Sequence, residues 1–228
     1  MSTDQPFGYP YVLREYLGGR TLDNGLAVSI PLQYHTKVAK QLANVFLELQ
    51  NLTFTRIGRL WCGETAAQPV EIIAMAWHYS PGPLETSLEY FYNHRQGKNR
   101  ETMAMHPNML DRVRGPFSLC HLDLHYNNLL FDNEYNLTGV IDWSNVQAAP
   151  IEQLSVCPEF VTFPGLSEEE NRPIVELKKL VIQFIKEMEK DKEKMPPLDD
   201  QQVNMKQNLD LTPLSTYMAS KGAEITHR

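Results

Sequence analysis

A chain of 228 residues, 42% hydrophobic and 21% charged, can bury a substantial core and does not have the composition of a disordered protein. A formal charge of −7 and an isoelectric point near 5.5 argue against a basic nucleic-acid-binding surface. Cys62, Cys120 and Cys157 are widely spaced and form no CxxC pair, so neither a zinc knuckle nor a disulfide framework is indicated. The first residues lack a basic-then-apolar signal pattern, and no apolar run approaches the ~18 residues of a membrane span. The expected compartment is the cytoplasm, with no membrane and no nucleic-acid partner.

In chain order, YPYVLREYLGGRTL reads as a short β-strand ending at Gly18-Gly19. From Pro31 to Gln50 the apolar residues Val38, Leu42, Val45, Phe46 and Leu49 recur at helical spacing, with Pro31 suited to a first turn. FTRIGRLW (54–61) and VEIIAMAWHY (70–79) read as short strands, and Ser87 to about Thr102 as a helix interrupted near Gly97. Gly115-Pro116 punctuates the chain before its most informative segment. There NLLF (128–131) and NLTGVID (136–142), joined by DNEY, give the signal of a β-hairpin. A later helix, Pro173 to Lys194, places Ile174, Leu177, Leu180, Val181, Phe184, Ile185 and Met188 on one face. MPPLDD ends it, and a polar tail follows Gln201. No internal repeat or linker interrupts what reads as one mostly helical domain with small β elements.

The segment HLDLHYNNLLFDNEYNLTGVIDW, His121 to Trp143, concentrates the polar chemistry. One reading is a metal site: His121, Asp123 and His125 alternate, which on a strand puts them on one face, and imidazole and carboxylate suit zinc or iron. That reading needs neither Asn128 nor Asp142. The other is phosphoryl transfer, which requires a carboxylate for the substrate hydroxyl proton and hard oxygen ligands for Mg²⁺ against the nucleotide phosphates. A hairpin running out through Leu129–Phe131 and back through Leu137–Ile141 would bring Asn128 and Asp142 side by side, with Asp123 one loop away and His121 bracing that loop. A purely structural role is also open to these residues, since Asp and Asn cap polar loops well and Asp142 can cap the segment after it. His125 then reads as a hydrogen-bonded loop residue.

HLDLHYNNLLFD…TGVIDW resembles the catalytic loop and metal-binding segment of the aminoglycoside phosphotransferase (APH)/choline-kinase-like family, in its fungal-type branch. The likeness extends back through GPFSLC and FTRIGRLW to VLREYLGGRTL, which is similar to that family's hinge, and forward through SNVQAAPIEQL. It implies an α+β, protein-kinase-like fold, chiefly the helical C-terminal lobe carrying a catalytic β-hairpin. It implies Asp123 as catalytic base, His121 as the loop-bracing histidine, Asn128 and Asp142 as Mg²⁺ ligands, and the backbone around Arg14 and Tyr16 as the adenine-binding hinge. Leu122 stands where the family usually has glycine.

The implied organisation is a hinge-like strand and linker over 1–22, a kinase-like C-lobe over 23–200, and a tail over 201–228. The family's N-terminal lobe, with its phosphate loop and lysine, is expected to be absent, since the first Lys is Lys37 and ten residues are too few for such a lobe. The resemblance implies ATP and Mg²⁺ as cofactors and a small-molecule hydroxyl as acceptor, in a pocket from Leu84 to Leu110 and after Ala149. Two forms of the chain follow: a truncated small-molecule kinase, or a pseudoenzyme acting as a binding module. A protein partner would cover the face left exposed.

Overall fold

The computed structural model describes residues 16–61, 68–75, 82–94, 115–163 and 165–193. Helix α1 (Leu26–Ser29) leads through a 3₁₀ turn at Leu32–Tyr34, whose N-cap is Pro31, into α2 (His35–Asn51). The helical spacing of the sequence translates directly into burial: Val38, Ala39, Leu42, Ala43, Phe46 and Leu49 face inward. They pack against α5 (Glu168–Glu193), whose Leu177, Val181 and Ile185 are fully buried. Each such side chain contributes roughly 1.5–3 kcal/mol of apolar burial. This helix pair is the centre of the core.

Helix α5 starts at Glu168, earlier than the expected Pro173, which lies inside it. The reason is a capping box. Ser167 Oγ accepts the Glu170 N–H at 3.3 Å, and the Glu170 carboxylate accepts the Ser167 N–H at 2.8 Å and its hydroxyl at 2.7 Å. Those bonds hold the Glu170 carboxyl below its usual range, the side-chain hydroxyl being the larger cause. Ser167→Ala should lower stability by about 1 kcal/mol in urea unfolding. Because the folded value of Glu170 is depressed, its contribution is present above the unfolded carboxyl value and lost as pH falls through the folded one. The loss caused by Ser167→Ala should therefore shrink on acidification.

The β content exceeds the expected small elements. Strands β1 (Thr53–Phe54), β2 (Gly58–Trp61), β3 (Glu71–Ile73), β4 (Phe117–Cys120) and β7 (Gln147–Ala149) form an antiparallel five-stranded sheet in the order β1-β4-β7-β2-β3. β4 and β7 are interior strands buried along their whole length, paired Ser118 to Ala149 and Cys120 to Gln147. Short strands buried on both faces carry no alternation, so the sequence did not announce them. At Gly58 a Cβ would collide with the Ile73 carbonyl oxygen of β3, which explains the glycine in β2. Helix α3 (Ser87–His94) realises the first half of its expected span, and α4 (Ile151–Leu154) follows β7.

Residues 16–19 form no strand. Instead Arg20 pairs with Phe131, each N–H donating to the other's carbonyl at 2.9 Å, and Thr138 Oγ1 donates to the Gly18 carbonyl at 2.6 Å. Gly19 has φ +132°, and a Cβ there would overlap Thr138 Oγ1, so the chain can approach the hairpin this closely only at glycine. The rest of the expected opening strand, including Arg14, lies outside the described residues, as do 95–102 of the α3 region and the tail over 201–228.

Candidate active site

The expected hairpin is present: β5 (Leu129–Phe131) pairs with β6 (Leu137–Val140), Leu129 opposite Val140, with a bulge between Leu130 and Phe131. Its turn is built by Asp132, whose Oδ1 accepts the N–H groups of Glu134 and Asn136 at 2.8 Å and whose Oδ2 accepts Asn136 Nδ2 at 2.7 Å. These bonds, the Asn136 side chain foremost, hold the Asp132 carboxyl below its usual range. Helix α2 grips the same turn. Lys37 Nζ donates to the Glu134 carbonyl at 2.8 Å, and Gln41 both donates to the Tyr135 carbonyl at 3.1 Å and accepts the Leu137 N–H at 2.6 Å. With the closed end fixed to the core, the open end is fixed in turn: the Ile141 N–H donates to the Asn128 carbonyl at 2.9 Å. Asn128 and Asp142 are thereby brought to adjacent strand ends.

His121 directly follows β4 and is 2% exposed. Its Nε2 donates to the Ile141 carbonyl at 2.9 Å, while Nδ1 is buried with no hydrogen-bond partner among the described residues. Trp143 stacks edge-on against the imidazole, centroids 4.8 Å apart, and its Nε1 donates to the Val140 carbonyl at 2.8 Å. His121 thus ties the loop after β4 to the strand end before Asp142. The next residue, Leu122, has φ +58°, and the Asp123 N–H turns back to the His121 carbonyl at 2.7 Å. Glycine would take this left-handed backbone freely, whereas an L-residue loses about 1–2 kcal/mol. The Leu122 side chain packs against the core, an offset that glycine lacks.

Beyond the turn, Asn128 is buried and its Nδ2 donates to the Asp123 carbonyl at 2.8 Å and toward Asp123 Oδ2 at 3.4 Å. Its Oδ1 makes no hydrogen bond among the described residues. Asp142 has φ 59° and ψ 58°, a left-handed conformation that Asp and Asn tolerate better than most residues. Its Oδ1 accepts the Ser144 hydroxyl at 2.6 Å. The amide oxygen of Asn128 and the carboxylate of Asp142 are hard donors of the kind Mg²⁺ prefers, so these side chains fit that ion.

Two further residues belong here: His125, expected as a hydrogen-bonded loop residue, and Glu159, which the sequence reading passed over. His125 contacts both Asp123 and Asn128. Glu159, 8% exposed, accepts the Tyr126 N–H at 2.9 Å through Oε1 and the Leu26 N–H at 2.6 Å through Oε2, clamping the loop to the start of α1. Its signal was an acidic residue set between Cys157, Pro158, Phe160 and Val161.

The alternating His121-Asp123-His125 set does not converge as a metal site. Among the described residues no three His, Cys, Asp or Glu side chains are grouped to hold an ion, and the His121 ring is turned to Ile141. Nor does Cys120 beside His121 make a nucleophilic pair. Burial, reinforced by Glu152, pushes its thiol far up, and burial pushes Cys157 up to about 12, so both are protonated at neutral pH.

Residues 2–153, about two-thirds of the chain, match the family model of the phosphotransferase enzyme family, APH. The chain belongs to this family. Comparison with curated proteins finds no match. Membership in APH implies a kinase-like fold and phosphotransferase chemistry in general, for which the family generally uses ATP and Mg²⁺. The matched span contains His121, Asp123, Asn128 and Asp142 as well as Arg14 and Tyr16. Of the two residues expected at a hinge, Tyr16 is 88% exposed, just ahead of Leu17, which packs at Gly139 over the hairpin; Arg14 lies outside the described residues. No described helix is long and apolar enough to cross a membrane.

Proposed function

We propose that this chain carries the base and metal ligands of an ATP- and Mg²⁺-dependent phosphotransferase acting on a small-molecule hydroxyl. The observation that carries the reading is the convergence of Asp123 and Asn128 on one loop with the strand end that leads into Asp142, braced by His121 across Ile141. Asp123 accepts or orients the proton of the attacking hydroxyl. Asn128 Oδ1 and the Asp142 carboxylate hold the ion, which when bound neutralises charge on the nucleotide phosphates. His121 keeps the two halves of the site in register. The exposed backbone around Tyr16, tied to the hairpin through Gly18 and Arg20, is the side on which adenine would lie.

Asp142→Asn is the sharpest test because asparagine keeps both the shape and the tolerance for left-handed backbone. Mg·ATP at tenfold its dissociation constant should raise the melting temperature of the wild type by about 3–6 °C. The variant should be as stable without ligand and show no such rise. Equal shifts in both proteins would refute the assignment of Asp142.

A further inference from the structure

We infer that Ser144 is a positioning residue for the metal site, its hydroxyl fixing the direction of the Asp142 carboxylate; the inference rests on the reading of Asp142 as an ion ligand. The Ser144 hydroxyl donates to Asp142 Oδ1 at 2.6 Å. An O–H bond to a carboxylate at that length belongs to the short, charge-assisted class. Asp142 stands at the N-cap of the 3₁₀ turn Trp143–Asn145. An aspartate there ordinarily turns its carboxylate back to accept the N–H groups of the turn. Asp142 makes no such capping bond, and Ser144 holds its Oδ1 instead. The side chain is therefore not spent on the turn.

The turn that carries Ser144 is itself fixed. The Val146 N–H closes it onto the Trp143 carbonyl at 3.2 Å. Trp143 Nε1 donates to the Val140 carbonyl at 2.8 Å, and its indole packs edge-on against His121. Ser144 thus reaches Asp142 from a backbone anchored to the hairpin end and to the bracing histidine. Asp142 and Ser144 are both exposed, so packing does little to set the carboxylate angle. The last torsion of an aspartate is broad, and a short bond to one oxygen narrows it. Ligand direction before the ion arrives is what such a bond supplies; losing a hydrogen bond behind a ligating group typically weakens metal binding about 10–100-fold.

The test uses the full chain with ¹³C-labelled aspartate, and Mn·ATP as the probe. In the metal-free protein the Asp142 carboxyl resonance should be displaced in Ser144→Ala and stay near its wild-type position in Ser144→Thr, which keeps the hydroxyl. Binding of Mn·ATP, read by water-proton relaxation, should weaken about tenfold in Ser144→Ala and by less than about twofold in Ser144→Thr. Melting without ligand should be alike in the three proteins, because residue 144 is exposed. An unmoved Asp142 resonance or an unchanged affinity in Ser144→Ala overturns the inference, as do equal losses of affinity in alanine and threonine. A wild type that binds no Mn·ATP overturns the phosphotransfer reading and the role of Ser144 with it, whereas binding that is lost in Asp142→Asn but indifferent to Ser144→Ala overturns the role of Ser144 alone.

Discussion

Glu159→Ala is expected to lower the unfolding free energy by about 3 kcal/mol, the largest single effect on stability from a residue near the site. The Glu159 carboxylate is buried and takes one backbone N–H on each oxygen, from Leu26 at the start of α1 and from Tyr126 in the loop that carries Asp123 and Asn128. Hydrogen bonds to an ionised acceptor are among the stronger ones. Truncation leaves both donors without a partner, each worth about 1–3 kcal/mol when buried. Glu159→Gln keeps one acceptor oxygen but turns an N–H₂ toward the other N–H, so it should fall between wild type and alanine. Urea unfolding at constant m-value reads the series. A loss below about 0.5 kcal/mol in alanine, the range of ordinary surface substitutions, would show that the clamp is not holding the loop.

Asp123→Asn is expected to have the largest effect on chemistry. Loss of a positioned general base typically lowers turnover by about 10²–10⁴-fold. The substitution keeps the shape of the side chain, and Asp123 is partly exposed, so melting without ligand should scarcely move. The Mg·ATP-induced rise in melting temperature should also survive, because the proposed ion ligands are Asn128 and Asp142. Asp123→Asn and Asp142→Asn thus separate two functions, proton handling and metal binding. A variant at position 123 that turns over Mg·ATP within about twofold of wild type would remove Asp123 from the base role.

The parts of the fold legible in the sequence were those with a long period or a strong local signal. Helix α2 spans enough turns for Val38, Leu42, Phe46 and Leu49 to define a face. The hairpin was legible because two apolar runs flank a turn that Asp132 closes with its own carboxylate. β4 and β7 were not, because three or four residues buried on both faces show no alternation. The start of α5 was misplaced because Pro173 drew attention from Ser167 and Glu170, whose reciprocal bonds decide where the helix begins.

The candidate site divides the same way. The nearness of Asn128 and the strand end before Asp142 was legible because a hairpin converts their spacing into proximity, and Asp123 lies one loop away, bonded to Asn128. Phosphotransferase family membership covers all three. Glu159 was not legible, since it reaches Tyr126 and Leu26 across 33 and 133 positions, a separation no local pattern encodes. His125 was legible as a hydrogen-bonded loop residue: its ring accepts the Asn127 backbone N–H and meets the Asn128 amide.

The central claim is that Asn128 and Asp142 hold a divalent ion against nucleotide phosphates, and a paramagnetic ion tests it most directly. With Mn²⁺ and ATP added to ¹⁵N-labelled full-length protein, the Asn128 side-chain amide and the backbone amides of Asp142 and Trp143 should broaden first, while Ile185 in the helical core stays sharp. Asp142→Asn should remove that selectivity. Uniform broadening, or an unchanged pattern in the variant, would mean that the hairpin ends do not form the metal site.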